Sequence, residues 1–193
     1  MKMRIVVLVL MLAASPALAQ ESTKPAKAKA AERAAMLETL QKGKQIQGSR
    51  GQYRFLPEVH AVEQEALARI GESGAQVIET KGRLVLFRSA QQKPAFVERV
   101  AGASVYPTVV NTRTGTLGVL TGTLVVKPKR LRDAAAIASS HGLEIGKEYP
   151  QLQTVFYRAK AGTDIADALA ALQADARIES AYPEIIEYVR SPK

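Results

Sequence analysis

Between Gly122 and Val189 the spacing of apolar residues alternates between the period of a strand and the period of a helix, and this alternation constrains the fold most. Thr123–Lys127 reads Thr-Leu-Val-Val-Lys, a strand. Arg130–His141 follows as a helix, with Ala134, Ile137, Ala138 and His141 at i, i+3, i+4 and i+7 and Gly142 as its stop. Leu143–Tyr149 and Gln153–Ala159 are strands separated by a turn at Pro150. Thr163 or Asp164 caps a second helix, whose Ile165, Ala168, Leu169 and Leu172 form a stripe to be buried. A final strand begins over Arg177–Tyr182 and can resume after Pro183. Strand, helix, strand, strand, helix, strand is the order of the split β-α-β arrangement. The expected class is therefore α+β, with a ferredoxin-like β-α-β-β-α-β sandwich over residues 122–193.

The other end of the chain speaks to compartment. Lys2 and Arg4 give a positive start, Ile5–Ala14 is an apolar run too short to span a bilayer, and Ala17-Leu18-Ala19 is a small-x-small site. Residues 1–19 are read as a signal peptide cleaved after Ala19, which places the mature chain in a periplasm or outside the cell. No later segment is long and apolar enough to span a membrane. The chain has no cysteine, so stability must come from an ordinary core. Net charge is +9, and losing Lys2 and Arg4 lowers it by two to +7. Part of the excess lies in a basic leader, residues 20–50. There Lys24, Lys27, Lys29, Arg33, Lys42, Lys44 and Arg50 outnumber Glu21, Glu32 and Glu38. Such a segment can bind nucleic acid or an anionic surface, but export argues against nucleic acid, and a solvated leader is the expectation. Gln20–Ala30 reads as disordered, Ala31–Lys42 as helix, and Gly43–Gly51 as a glycine-rich linker.

Residues 51–121 are expected to form a second small α+β lobe. His60–Ile70 carries Val59, Val62, Ala66 and Ile70 at roughly helical spacing. Ala75–Thr80 and Arg83–Arg88 are strands around Lys81-Gly82, and Pro94–Ala101 is a short helix. Val105–Thr112 and Thr116–Leu120 pair around Thr114-Gly115. Phe87-Arg88 matches Tyr157-Arg158 in place, and Tyr106-Pro107 matches Tyr182-Pro183. A degenerate duplication and chance agreement both fit.

Catalytic chemistry is not encoded in any recognisable constellation. Gly43 and Gly48 have phosphate-loop spacing, but Ser49-Arg50 follows where Lys then Ser or Thr is needed, and no strand precedes. His60 and Glu63 could share a helical face, yet no third ligand exists, so no metal and no cofactor is expected. Ser139-Ser140-His141 are helix neighbours that diverge and cannot form a nucleophile–base pair. Gly71-Glu72-Ser73-Gly74 lacks the nucleophile-elbow spacing. The chain is read as not an enzyme.

The C-terminal block does resemble a known family. Thr123–Lys127, the Ala-rich helix ending His141-Gly142-Leu143, the strand at Val155-Phe156-Tyr157, the helix at Leu169–Leu172, and Asp175–Glu179 leading into Tyr182-Pro183-Glu184 resemble subtilisin-family propeptides, most of all the fervidolysin-like prodomain. The pattern departs at Tyr182, where that prodomain has Glu, and at Glu184, where it has Asn. The resemblance implies a stand-alone inhibitor, folding chaperone, or both, of a secreted subtilisin-like serine protease. Its open sheet face would pack on the protease, and its last strand would run on into the active-site cleft and bind there like substrate. The tail is Tyr188, Val189, Arg190, Ser191, Pro192 and Lys193; either Arg190 or Lys193 would fill the primary specificity pocket. Glu179 and Glu184 are candidates to meet helix N-termini of the protease. Phe156, Arg158, Ser180 and Tyr182 are candidates for the exposed face, because alternate residues share a face. The competing reading is a non-catalytic periplasmic adaptor with a propeptide-like fold. RNA binding on a similar sheet is disfavoured, because the Gly-Phe-Gly-Phe-type strand is absent.

Overall fold

The computed structural model describes residues 31, 35, 43–70, 75–89 and 97–187. The chain divides into two compact units, Met1–Glu38 and Thr39–Lys193. In the first, Ala31 and Ala35 are helical. Every element named below belongs to the second, and the architecture is α+β, mostly antiparallel sheet.

The strands in the first half are β1 (Gln45–Gly48), β2 (Gly51–Glu63), β3 (Gln76–Lys81), β4 (Leu84–Arg88), β5 (Glu98–Val100), β6 (Ala103–Asn111) and β7 (Leu117–Pro128). Two sequence expectations change here. The linker expected over Gly43–Gly51 contains β1, which pairs with β2 around a Ser49-Arg50 turn and buries Ile46. Gly48 is required there by close approach, since a Cβ would lie 2.5 Å from the Tyr53 ring. A chain beginning at Gly51 would therefore lose a strand and a core side chain. The helix expected over His60–Ile70 is instead the end of β2 followed by a 3-10 segment, Gln64–Ile70. The run Val59-His60-Ala61-Val62 is buried throughout, between β4 on one side and, through Ala61, β6 on the other. A short run buried on both faces carries no period that separates strand from helix, and pairing on two sides decides it.

Part of the helix expected over Pro94–Ala101 is β5, turned back on β6 by Ala101 and Gly102, both with positive φ. The hairpins at Gly82 and Gly115 fall where expected. The two strands read at Thr116–Leu120 and Thr123–Lys127 are one strand, β7, which passes through Gly122 at φ 82°.

The second half adds α1 (Ala134–Ser140), β8 (Glu144–Tyr149), β9 (Thr154–Arg158), α2 (Ile165–Ala174) and β10 (Ile178–Ile186). With β7 they follow the expected order. Pairing sets β8, β9, β7 and β10 side by side, each antiparallel to its neighbour. Asp164 caps α2 by accepting from the backbone N–H groups of Ala166 and Asp167. Lys44 pairs with both Asp164 and Asp167 at 3.0 and 2.9 Å. Pro183 interrupts nothing: it faces Leu124, and a bulge follows before Ile185.

One core runs through both halves. Ile46, Tyr53, Phe55, Val109 and Leu120 are continuous with Leu124, Val126, Ile137, Tyr157, Leu169 and Leu172. Burial pushes the Tyr157 hydroxyl up to about 12, and it donates to the carbonyl of Ala134 at 3.0 Å, tying β9 to α1. Leu172 is fully buried, as the spacing in α2 requires. Leu172→Ala should cost about 2–5 kcal/mol of unfolding free energy, measured by chemical denaturation, because the site cannot collapse around the lost methyls.

The C-terminal ends of both helices meet at Asp175. Arg177 donates to it through Nε at 3.0 Å and Nη2 at 2.6 Å, and His141 Nε2 lies 2.9 Å away. The Arg177 guanidinium, then His141, hold the Asp175 carboxyl well below the usual carboxylate range. A depressed folded value stabilises the protein above the unfolded carboxyl value and ceases to do so as pH falls. Melting temperature should therefore drop from about pH 4 downward. Asp175→Asn should start lower at neutral pH and show a shallower acid decline; parallel curves would remove Asp175 from the acid response. No helix among the described residues is long and apolar enough to cross a membrane.

Candidate partner-binding face

Strand alternation assigns the two faces of the β8-β9-β7-β10 sheet. Leu124 and Val126 pair with Tyr157 and Val155, and these four face the helices. The residues between them face the other way, and neither α1 nor α2 covers that side. Register places Lys147, Phe156, Val125 and Tyr182 in one row across the four strands. Tyr149 pairs with Thr154 on the same face and meets Phe156 edge-on, with ring centroids 5.3 Å apart. Lys147 Nζ stands 4.7 Å from the Tyr149 ring centroid. Arg158, exposed, pairs with Thr123, and Ser180 pairs with Lys127. The face thus has a half-buried aromatic centre and a largely cationic margin.

The sequence-derived candidates fall on it in part. Phe156, Arg158, Ser180 and Tyr182 share the face, and Phe156 and Tyr182 are half-buried. Glu179 lies at the first β10 bulge, paired with Lys127 at 2.8 Å. Glu184 lies at the second bulge, where its carboxylate accepts from Thr121 Oγ1 at 2.7 Å. Tyr188, Val189, Arg190, Ser191, Pro192 and Lys193 lie outside the described residues. Sequence reasoning missed Lys147, Tyr149 and Val125. Val125 was legible by parity with Thr123. Lys147 and Tyr149 were not, because a bulge between Ile145 and Lys147 resets the alternation of β8. Among the described residues no three His, Asp or Glu side chains gather as a metal site.

The face joins aromatic and cationic side chains in a surface suited to binding a partner. Comparison with known sequences gives the family. The family described as open reading frame 2 N-terminal domain matches residues 17–192. The chain belongs to that family. A solved chain from the complex of the Aeromonas sobria serine protease with its chaperone, ORF2, is similar to 50% of this chain over 99% of its own length, at 21% identity and a TM-score of 0.38. No curated protein matches the sequence.

Proposed function

We propose that this chain is a non-catalytic chaperone of an exported serine protease, a partner that also inhibits it. The strand order β10-β7-β9-β8, with both helices on one face and a clear aromatic face on the other, carries the reading. That order is in keeping with a ferredoxin-like, propeptide-type sandwich, whose open face the propeptide resemblance implies as the docking surface. Family membership supports it, since open reading frame 2 is the designation of the chaperone in the Aeromonas complex. The protease is subtilisin-like, in keeping with the propeptide resemblance of residues 122–193. The Phe156–Tyr182 face packs against the protease, and residues 188–193 enter its cleft as a substrate-like strand. Folding of such proteases is limited by non-local pairing, which a bound template accelerates. Export by residues 1–19, cleaved after Ala19, brings chaperone and protease to the same compartment.

The test is capture. Mature chain, immobilised, should retain a serine hydrolase from culture supernatant, identified by an active-site fluorophosphonate label after elution. Retention of proteins that carry no reactive serine would replace this reading with the adaptor one.

A further inference from the structure

The charged residues of the open face are held in two different ways. On the β10 side the acids are engaged within the chain: Glu179 pairs with Lys127 at 2.8 Å, and Glu184 accepts from Thr121 Oγ1 at 2.7 Å. On the β8–β9 margin two exposed cations, Lys147 and Arg158, lie against the face. Lys147 Nζ stands 4.7 Å from the Tyr149 ring centroid. Arg158 lies across β8 at Gly146, where a Cβ would be 3.5 Å from both its Cγ and its Nε. Gly146 is the residue that the β8 bulge leaves without a partner, between Ile145 opposite Tyr157 and Lys147 opposite Phe156. One irregularity thus brings Lys147 onto the open face and puts a residue with no side chain beneath Arg158. Register makes the two cations diagonal neighbours, rooted about 7–8 Å apart, with Phe156 beside both. Long side chains at that spacing can reach one carboxylate together or two adjacent ones separately. Glu144, opposite Arg158, is the acid that register places on the same side; Glu148, opposite Val155, falls on the helix side.

We propose that Lys147 and Arg158 form a carboxylate-binding margin, which takes acidic side chains at the rim of the protease surface that Phe156 and Tyr182 meet. This deepens the reading that the open face packs on a serine protease, and rests on it. It adds the charge of the surface recognised: apolar at the centre, acidic where it meets β8 and β9. Cations laid on a ring and over a glycine lose less side-chain freedom on binding than free ones. Their place at a solvated rim gives them the capture of the partner more than the strength of the complex. A second copy of the chain is disfavoured as the occupant, since it carries the same net charge of +9.

The probe is the serine hydrolase that the immobilised mature chain retains. This chain has no tryptophan, so indole fluorescence of the protease reports association by stopped flow. Lys147→Glu and Arg158→Glu should each slow association about tenfold at about 0.05 M salt, and about twofold or less at about 0.5 M, with dissociation little changed. Glu144→Lys adds a cation to the margin and should speed association about threefold at the lower salt, a result no unfolded variant can mimic. Slowing that is the same at both salts, or Glu144→Lys without acceleration, overturns the carboxylate margin and leaves the docking face standing. Reversals that slow nothing place the protease off this margin and overturn the proposal too. Retention of no serine hydrolase removes the proposed function and this inference together. Other occupants are read with the same variants. Binding to vesicles of equal parts phosphatidylglycerol and phosphatidylcholine, lost in Lys147→Glu, would give the margin to a lipid surface. A dimer in sedimentation that Lys147→Glu dissolves would give it to a second copy. Either result overturns the proposal.

Discussion

Deleting Arg190 to Lys193 should raise the inhibition constant against a subtilisin-like protease about 30-fold or more, the loss of one good hot spot of about 2 kcal/mol. Melting temperature should stay where it is. Among the described residues, the last contributors to the core on β10 are Ile178, Ala181 and the partly buried Ile185. Inhibition should be competitive with a peptide substrate, because tail and substrate would share one cleft. Arg190→Ala and Lys193→Ala made separately choose the register: the residue in the primary pocket should account for most of the loss, and the other for little. A truncated chain that inhibits as well as the intact one leaves only the sheet face as a binding surface.

Phe156→Asp should weaken complex formation at least about 100-fold, because it removes the ring's packing and sets a carboxylate to be desolvated at the centre of the interface. Tyr182→Ala, in the same row, should act in the same direction through lost packing. Both side chains are half-buried on the helix-free side, so the fold should survive. Phe156 does give up its edge-on contact with Tyr149, worth about 0.5–1.5 kcal/mol. Binding by calorimetry, set beside denaturation of each variant, separates the two effects. A variant that loses stability and keeps affinity would move the interface off this face.

The second half was legible in the sequence for definite reasons. α2 has a stripe, a capping Asp164 and a mostly small outer side, and β9 alternates Val155 and Tyr157 against Phe156 and Arg158. Local chemistry and final packing agree there. In the first half they do not. Val59–Val62 is buried on both faces and flanked by two strands, and the strand neighbours lie far off in sequence. β1 is too short to show a period, and only Ile46 betrays its burial. Buried Glu187, bonded by Asn111 and Lys81, was invisible for the same reason. Asn111 is 76 residues away and Lys81 is 106, and neither is unusual in its own neighbourhood. The open face was legible as parity within each strand, but its row of four needed the register, which the bulges in β8 and β10 shift.

The pairing of β10 along β7, from Pro128 back to Val119, has a consequence for biogenesis. A ribosome delivers β7 some fifty residues before the strand that covers its edge. Until residue 186 is free of the exit tunnel, β7 lacks the neighbour along one of its edges, and the core lacks Ile178 and Ala181. Closure of this sheet therefore waits on synthesis through residue 186, well after β7 itself has been made.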